Sequence, residues 1–454
     1  MTHDFLVIGG GAGGLSAART ARRLGKRVAL ISDGPLGGDC TFTGCVPSKT
    51  LIESAAQGLS YDAAIARVHD TVQRIAATES AQVLRHEGID VLEGRATFTG
   101  PGRLDVAGAA LSAPHVVIAT GSTPLVPAIP GLDTVAFHTS DTIWEVRERP
   151  RSLLVLGGGA IGCELAQVFR RFGVDVTIVD SAPRLLPREE PETAEVLADT
   201  FRSAGIDLRL GRHVTSVAVV SAGAPGVSAT LDDGSVLVAE LLLLAVGRTP
   251  VTSGLDLARA GVQVDDRGHV VTDERMRTSA PGVFAAGDVT GRLPFTHAAD
   301  EMGRVAAINA VRSLRLRFHA QSVPWVTFTA PEVARVGLTE AEAAGRNARV
   351  AFLPLSAVDR AIAADQTAGF VKLIAGPKGL TRHAGGGRLL GATVVAPRAG
   401  EMIAELALAV RTGMFTGRLA QTVHAYPTWS TAVRAAAAQF FVEYDGRRAR
   451  PARS

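Results

Sequence analysis

One pattern occurs twice in this chain of 454 residues and restricts its fold more than any other feature. Residues 4–32, DFLVIGGGAGGLSAARTARRLGKRVALIS, read as an apolar strand, a glycine-rich turn, a helix and a second strand. Residues 152–180, SLLVLGGGAIGCELAQVFRRFGVDVTIVD, repeat that order. Such a unit forms the first part of a doubly wound dinucleotide-binding domain. The sequence therefore predicts an α/β protein with two Rossmann-like domains.

Each unit has three glycines in GxGxxG register. In this register the first glycine permits a tight turn, the second lets the backbone approach a pyrophosphate, and the third lets helix and strand pack closely. The helix N-terminus behind the turn attracts the phosphates. The candidate glycines are Gly9, Gly11 and Gly14 in the first unit and Gly157, Gly159 and Gly162 in the second. Two copies in one chain predict two bound dinucleotides.

The residue that ends the second strand of each unit is placed to contact a ribose. Asp180 ends it in the second unit, where a carboxylate accepts hydrogen bonds from both ribose hydroxyls and repels a 2′-phosphate. Arg184 and Arg188 follow and could turn toward a phosphate, so the unit is predicted to bind NADH or NADPH, with NADH favoured. In the first unit the strand ends at Ser32, with Asp33 one place later, and both are ribose candidates.

Composition excludes several kinds of partner. The net charge is only +3, from 47 basic and 44 acidic residues, and aromatic residues make up 5%, so no nucleic acid is expected as a partner. The longest aliphatic runs, such as LLLLAV at 241–246, are far too short to span a membrane. The first residues, MTHDFLVIGG, lack a basic segment before a long apolar one. The expected location is the cytoplasm, where thiols stay reduced.

Two of the three cysteines lie in GGDCTFTGCVPSK, residues 37–49. Five helical residues rise about 7.5 Å, whereas disulfide-bonded Cα atoms lie about 4.4 to 6.8 Å apart, so Cys40 and Cys45 can pair only across irregular backbone. Pro47 then suits the first turn of a helix whose N-terminus lowers the pKa of a nearby thiol. Only Cys163 remains as a further cysteine, and it is expected to pack in the core, so no metal site is predicted. A redox pair is the favoured interpretation.

The chain resembles the FAD-dependent pyridine nucleotide-disulfide oxidoreductases, the family of glutathione reductase, dihydrolipoamide dehydrogenase and mercuric reductase, and is most similar to the mercuric reductase branch. The resemblance covers almost the whole chain. It rests on both GxGxxG units, GGDCTFTGCVPSK, VVIATGSTP at 116–124, AVGRTP at 245–250, GVFAAGDVT at 282–290 and VTFTAPEVARVGLTE at 326–340.

The resemblance implies FAD in the first unit and NADH or NADPH in the second. It assigns Cys45 to the flavin side, Cys40 to exchange with the acceptor, and Lys49 with Glu164 to a pair beside the flavin. Asp288 would accept a hydrogen bond from a ribityl hydroxyl, and Thr296 would begin a helix that ends at the flavin. The cofactor-binding candidates are Gly9, Gly11, Gly14, Ser32, Asp33, Lys49, Thr120, Gly121, Gly157, Gly159, Gly162, Asp180, Gly247, Gly287, Asp288 and Thr296.

One motif departs from the family pattern. Members that reduce organic disulfides have a histidine before Pro-Thr and, five residues after that histidine, a glutamate that orients it. In HAYPTWSTAV these positions hold Tyr426 and Thr431. The mercuric reductase branch also has a tyrosine here, but its C-terminal pair of cysteines has no counterpart in GRRARPARS. His424, two residues upstream, is an alternative base, so Tyr426 and His424 both remain candidate catalytic residues.

The predicted organisation has three parts: a discontinuous FAD-binding domain at 1–145 and 250–320, an NAD(P)-binding domain at 146–249, and an α+β interface domain at 321–454. The resemblance implies a homodimer in which the C-terminal segment completes the partner's disulfide site. The expected function is an NAD(P)H-dependent FAD disulfide oxidoreductase with an unidentified small-molecule acceptor. The alternatives are a mercuric-reductase-like metal ion reductase, a quinone or diaphorase-type reductase, and a non-catalytic FAD-binding redox sensor.

A further expectation concerns the segment after the cysteine pair. Ile65, Val68, Val72 and Ile75 are spaced three, four and three residues apart, which predicts a helix with one face packed in the first domain.

Overall fold

The computed structural model describes residues 3–220, 226–312, 314–379 and 382–453. The helices are α1 (Ala12–Arg23), α2 (Gly38–Phe42), α3 (Cys45–Ala56), α4 (Tyr61–Ala76), α5 (Ala81–His86), α6 (Ala160–Arg171), α7 (Pro191–Ser203), α8 (Thr296–Arg312), α9 (Glu340–Ala343), α10 (Asp359–Ala363), α11 (Ala399–Thr412), α12 (Thr416–Gln421) and α13 (Thr431–Ala438).

The strands of the first half are β1 (Phe5–Ile8), β2 (Val28–Ser32), β3 (Ile89–Glu93), β4 (Ala96–Gly100), β5 (Arg103–Val106), β6 (Ala109–Ser112), β7 (His115–Ile118), β8 (Ser122–Pro124), β9 (His138–Thr139), β10 (Ser152–Leu156), β11 (Asp175–Asp180) and β12 (Asp207–Leu210). Those of the second half are β13 (Val214–Val219), β14 (Val227–Leu231), β15 (Val236–Ala239), β16 (Leu241–Leu244), β17 (Arg248–Pro250), β18 (Val283–Ala285), β19 (Trp325–Thr327), β20 (Glu332–Gly337), β21 (Arg349–Pro354), β22 (Phe370–Gly376), β23 (Arg388–Ala396) and β24 (Arg450–Pro451).

These elements form two compact units. Unit 1 comprises residues 1–128, 137–149 and 243–320, and unit 2 comprises 129–136, 150–242 and 321–454. Unit 2 thus includes both the second glycine turn and the C-terminal residues. The predicted boundaries of three domains stay a prediction.

A parallel sheet with the strand order β18-β7-β1-β2-β3 forms the centre of unit 1. All four residues of β1 are buried, as expected for a parallel strand covered on both faces. The chain runs from β1 through α1 to β2 on one side, while β7 pairs with the other side of β1. This change of direction makes the carboxyl ends of β1 and β7 the position where open α/β sheets bind ligands.

In unit 2 the second predicted unit is formed by β10, α6 and β11, and β12 extends its parallel ladder. The C-terminal residues form an antiparallel sheet with the order β19-β20-β23-β22-β21-β24. Residues of α11, α12 and α13 share one apolar core with this sheet. The predicted α/β class, with two Rossmann-like units and a C-terminal α+β region, is therefore confirmed.

The predicted helix after the cysteine pair is α4, but its apolar face is only partly buried. Ile65 and Val68 are buried, and Val72 is half-buried, whereas Ile75 is 36% exposed. The predicted helix and its packed face are therefore confirmed, and Ile75, in the last turn of α4, is the most exposed of the four residues. Among the described residues, each helix is too short or too polar to span a membrane.

Candidate active site

A cleft of about 410 Å³ opens in unit 1 at the carboxyl ends of β1 and β7. It brings together candidates that are distant in sequence. The predicted cofactor-binding residues that line it are Gly9, Gly11, Ser32, Asp33, Thr120, Gly121, Gly287, Asp288 and Thr296, and the redox candidate Cys40 lines it too. This is the binding position expected from the sheet topology.

The first glycine turn fits a dinucleotide. Gly9 has φ +108°, and a Cβ there would lie 2.2 Å from the carbonyl oxygen of Ala119, so only glycine fits. At Gly11 a Cβ would meet only Gly38 Cα, 4.0 Å away, among the described residues outside its own turn. That space faces the cleft and can receive a phosphate at the start of α1. The residues present therefore fit FAD.

Gly14 is not among the residues that line the cleft, and its role is in packing. A Cβ at Gly14 would lie 1.9 Å from the carbonyl oxygen of Gly9 and 3.3 Å from Val7 Cγ1. The absence of a side chain lets α1 pack directly on β1, as the sequence pattern predicts. Gly247 has φ +141°, and its carbonyl accepts a hydrogen bond from the backbone of Leu125 at 2.9 Å. It likewise does not appear among the residues that line the cleft.

Arg248 is hydrogen-bonded to three residues that line the cleft, and the sequence reasoning missed it. Its Nε donates to Ser122 Oγ at 2.8 Å, and Ser122 Oγ donates to Asp288 Oδ2 at 2.8 Å. The guanidinium also donates to Asp141 Oδ1 at 3.4 Å and to the carboxylate of Asp39. Burial raises the pKa of Asp39 even though Arg248 opposes that shift. Arg248 lies in the AVGRTP motif, so a signal was available in the sequence, but the motif was used to predict only Gly247 as a cofactor-binding residue.

The irregular backbone expected between the cysteines is present. Cys40 lies in α2, and Cys45 is the first residue of α3, with Gly44 between the helices at φ −112° and ψ −107°. A Cβ on Gly44 would lie 2.9 Å from the carbonyl oxygen of Asp39, so the close approach requires glycine. Pro47 lies in the first turn of α3, as predicted.

The two thiols have different environments. The two sulfurs are not joined by a disulfide in this structure, and Cys45 Sγ lies 3.4 Å from Thr296 Oγ1. The hydrogen bond between Cys40 and Cys45 raises the pKa of Cys40 far above its ordinary value, and burial adds to the shift. The roles that the family resemblance implies for the two thiols stay a prediction. Thr296 is the first residue of α8, as predicted.

Lys49 and Glu164 lie in different units. Lys49 Nζ donates to Ser48 Oγ at 3.2 Å on α3 in unit 1. Glu164 is buried on α6 in unit 2, and its Oε1 accepts the backbone N–H of Phe328 at 2.7 Å. The pairing of Lys49 with Glu164 stays a prediction.

The second glycine turn repeats the first in unit 2. Gly157 has φ +112°, and a Cβ on Gly162 would lie 1.9 Å from the carbonyl oxygen of Gly157. A Cβ on Gly159 would have no neighbour within 4 Å in the described part of the chain beyond its own turn. Cys163 follows Gly162 near the start of α6, is fully buried, and donates a hydrogen bond to the carbonyl of Gly158 at 3.3 Å. Burial raises the pKa of Cys163, which agrees with a packing role.

Asp180 is held at the end of β11 by backbone donors. Its Oδ2 accepts from Gly158 N at 2.5 Å, and its Oδ1 accepts from Ala182 N at 2.7 Å. Each oxygen retains a second lone pair that can accept a ribose hydroxyl. Arg184 instead donates to the carbonyl of Pro187 at 3.0 Å, within its own turn. The preference for NADH over NADPH stays a prediction.

The C-terminal candidates do not form a conventional acid–base pair. Tyr426 is 73% exposed, and its hydroxyl donates to Asp359 Oδ2 at 2.8 Å. That hydrogen bond raises the pKa of Tyr426, which makes its hydroxyl a weaker acid. Thr431 Oγ1 donates to the carbonyl of Thr428 at 2.6 Å at the start of α13. Neither side chain therefore reproduces a histidine oriented by a glutamate.

His424 is engaged at both ring nitrogens. Nδ1 lies 3.0 Å from the carbonyl oxygen of Thr422, and Nε2 lies 3.2 Å from each oxygen of Glu405. Both neighbours are acceptors, so this arrangement does not leave a ring nitrogen directed at a substrate thiol. Glu405 was missed because it lies 19 residues earlier on α11, too far for a local pattern. Across the described ranges, no three His, Cys, Asp or Glu side chains group so that they could hold a resident metal ion.

Comparison with known proteins gives consistent matches. Residues 3–303 match the family described as pyridine nucleotide-disulphide oxidoreductase, and residues 323–437 match the dimerisation domain of that family. The mercuric reductase of Streptomyces lividans is 38% identical over 466 residues, which is 96% of each chain. The dihydrolipoyl dehydrogenase of Thermus scotoductus is 36% identical over 462 residues, covering 96% of this chain and 97% of that one.

Solved structures match over similar lengths. The Cu(II) complex of the HOCl-induced flavoprotein disulfide reductase RclA from Escherichia coli has a TM-score of 0.88 and 31% identity, covering 96% of this chain and 99% of that one. LpdA from Mycobacterium tuberculosis has a TM-score of 0.87 and 31% identity, covering 97% and 100%.

Proposed function

Because this chain belongs to the pyridine nucleotide-disulfide oxidoreductase family, we propose that it is an NADH-preferring, FAD-dependent reductase whose Cys40 and Cys45 serve a thiophilic metal ion. Oxidoreductase activity and the use of FAD with NAD(P)H follow from the family. The choice of coenzyme, the roles of the thiols and the acceptor are the proposed parts.

The cleft in unit 1 supports the proposed FAD site. Gly9 and Gly11 would accommodate the phosphates at the start of α1, and Asp288 would accept a ribityl hydroxyl, with Thr296 at the N-terminus of α8. When bound, FAD supplies two-electron transfer between the nicotinamide and the thiol pair. The protein side chains bind, orient and protect the reacting groups.

The difference between the two thiols supports their proposed roles. Cys45 is favoured as the thiolate because it begins α3, where the helix N-terminus stabilises an anion, and because the hydrogen bond between the two thiols raises the pKa of Cys40. Conversion of the Cys40 and Cys45 dithiol to the disulfide releases two electrons and both thiol protons. One Hg(II) ion would take both electrons, whereas two Cu(II) ions would take one each.

Tyr426 is the main observation in favour of a metal ion as the acceptor. Reduction of an organic disulfide produces a leaving thiolate that a positioned acid must protonate. The Tyr426 hydroxyl donates a hydrogen bond to Asp359, which raises the pKa of Tyr426, and Thr431 replaces the orienting glutamate. A metal ion bound by thiolates needs no such proton. The mercuric reductase relatives and the Cu(II)-bound neighbour support this class of acceptor.

The dimerisation domain indicates a homodimer. We place the segment around Tyr426 at the thiol pair of the partner subunit, as in the family pattern. The chain has no further cysteine after Cys163, so a metal ion would reach Cys40 without a relay of C-terminal thiols.

Anaerobic NADH oxidation with Hg(II), Cu(II), glutathione disulfide, lipoamide and a quinone tests the proposal. Metal-dependent turnover is expected in the unmodified protein and should be lost in Cys40→Ser and in Cys45→Ser. Quinone reduction should survive both changes. The matched control Cys163→Ser, a buried cysteine outside the pair, should retain metal-dependent turnover. Turnover of an organic disulfide at hundreds per second would contradict the proposed acceptor.

A further inference from the structure

The segment 181–190, which follows Asp180, packs against the second glycine turn. The backbone N–H of Leu186 donates to the carbonyl of Gly158 at 2.9 Å. The Leu185 side chain fills the space beside Gly158, where a Cβ would lie 2.9 Å from Leu185 Cδ2. Ala182 donates to the carboxylate of Asp180. The position of this segment therefore affects the shape of the turn and the orientation of Asp180.

The far end of the segment is held by two cations of the C-terminal sheet. Arg335 on β20 and Lys372 on β22 are both direct cross-strand neighbours of Thr393 on β23. Their side chains therefore lie on one face of the sheet. We call Arg335 and Lys372 the cation row.

Arg335 holds residues 188 and 189. Its Nε donates to Glu189 Oε2 at 2.7 Å, and one terminal nitrogen donates to the carbonyl of Arg188 at 3.1 Å. Trp325 Nε1 donates to the other oxygen of Glu189 at 2.8 Å, and the Arg335 guanidinium lies 4.2 Å from the Trp325 ring centre. The Arg335 and Glu189 side chains are buried, so water does not compete effectively for this pair.

Lys372 holds the next residues. Its Nζ lies 3.0 Å from Glu190 Oε2, 2.8 Å from Glu192 Oε1 and 2.9 Å from Glu340 Oε2. The side chains of Lys372 and Glu190 are each only 1% exposed. Glu340 is also bound by Arg450 from β24. Removal of one partner from such a buried cluster leaves uncompensated charge, so the contacts are expected to persist.

Loops between elements are usually mobile, yet this one is held at both ends. We propose that Arg335 and Lys372 are positioning residues for the nicotinamide coenzyme: they hold segment 181–190 against the glycine turn and so set the affinity for NADH. This inference rests on the proposed use of NADH at Asp180. We expect the cation row to act on the coenzyme site indirectly, through its ion pairs with Glu189 and Glu190, and not by contact with the coenzyme.

The test compares Arg335→Met and Lys372→Met with the matched control Arg450→Met, all as FAD-loaded proteins. Arg450 belongs to the same ion cluster, but its side-chain hydrogen bonds go to Glu340 and Pro451 and not to segment 181–190. In the first two variants the KM for NADH should rise by roughly ten-fold with little change in kcat. Arg450→Met should be less heat-stable but keep the KM of the unmodified protein. An unchanged KM in Arg335→Met would overturn the inference.

A milder change keeps the test decisive if a methionine variant does not fold. Glu189→Gln preserves the shape of the side chain and the acceptor for Trp325, but weakens the bond with Arg335. It should raise the KM for NADH, and amides of 181–188 should exchange hydrogen faster than in Arg450→Met. Unchanged exchange together with unchanged KM refutes the positioning role. NADH binding measured by fluorescence titration separates this failure from failure of the proposed reductase activity, because it requires no acceptor.

Discussion

Gly11→Ala and Gly159→Ala should each remove one nucleotide and leave the fold intact. Gly11 has φ −79° and ψ −175°, an extended conformation that alanine adopts easily, and an added Cβ would come no closer than 4.0 Å to Gly38. Gly159 has φ −76° and ψ −175°, with no described neighbour within 4 Å of a Cβ. Replacing glycine at a compatible position changes stability by only about 0.4 to 1 kcal/mol, in the stabilising direction.

The same methyl group occupies the space that a pyrophosphate needs. Loss of one hydrogen bond to a charged group costs about 1.5 to 3 kcal/mol, so the affinity for the nucleotide should fall by at least roughly ten-fold. Gly11→Ala should therefore purify with a low ratio of FAD to protein and bind added FAD weakly. Gly159→Ala should retain FAD, while its KM for NADH rises by a similar factor. Thermal melts of the apoproteins should lie at, or slightly above, that of the unmodified apoprotein.

Gly14→Ala and Gly162→Ala are the matched controls, because a Cβ at either position would lie 1.9 Å from a backbone carbonyl oxygen. These variants should lose stability whether or not a nucleotide is present. Full FAD affinity in Gly11→Ala, or loss of FAD from Gly159→Ala, would refute the assignment of one nucleotide to each turn.

Three further outcomes are expected. Asp180→Ala should narrow the preference for NADH, by about 1 to 3 kcal/mol in kcat/KM measured with both coenzymes; a ten-fold preference of the unmodified protein for NADPH would contradict this. The double change Tyr426→His with Thr431→Glu should raise the turnover of glutathione disulfide or lipoamide, because it supplies a positioned acid–base group worth about 10² to 10⁴ in rate. Metal ion turnover is the control and should not rise. Burial opposes the shift of Glu340, but hydrogen bonds from Arg450 and Lys372 outweigh it and lower its pKa from 4.5 to about 2. The contribution of Glu340 to stability is therefore complete above about pH 4.5 and is lost as the pH falls toward about 2. Glu340→Gln should flatten this part of the pH dependence of the free energy of unfolding, measured with denaturant. An unchanged slope would contradict the role of Glu340.

Local patterns in the sequence were sufficient for the two glycine turns. A GxGxxG turn depends on backbone angles and close packing within about thirty residues, and Gly9 and Gly14 show both constraints. The irregular link between Cys40 and Cys45 was equally predictable, because Gly44 and the helix start at Cys45 lie within the motif itself. Similarity to a family supplied the roles of the two thiols, which spacing alone leaves open.

The tertiary structure decided the contacts between residues that are far apart in sequence. Arg248 reaches the carboxylate of Asp39 across 209 positions, and Lys372 reaches Glu190 across 182. Each contact joins a strand residue to a helix or a loop from a distant part of the chain, and side-chain periodicity does not encode how such elements pack. The same reason explains Ile75, whose spacing fits a buried helix face although its side chain is 36% exposed in the last turn of α4. The sequence therefore determined the local nucleotide turns and the thiol pair, whereas the packing of distant strands, helices and loops decided which charged side chains meet.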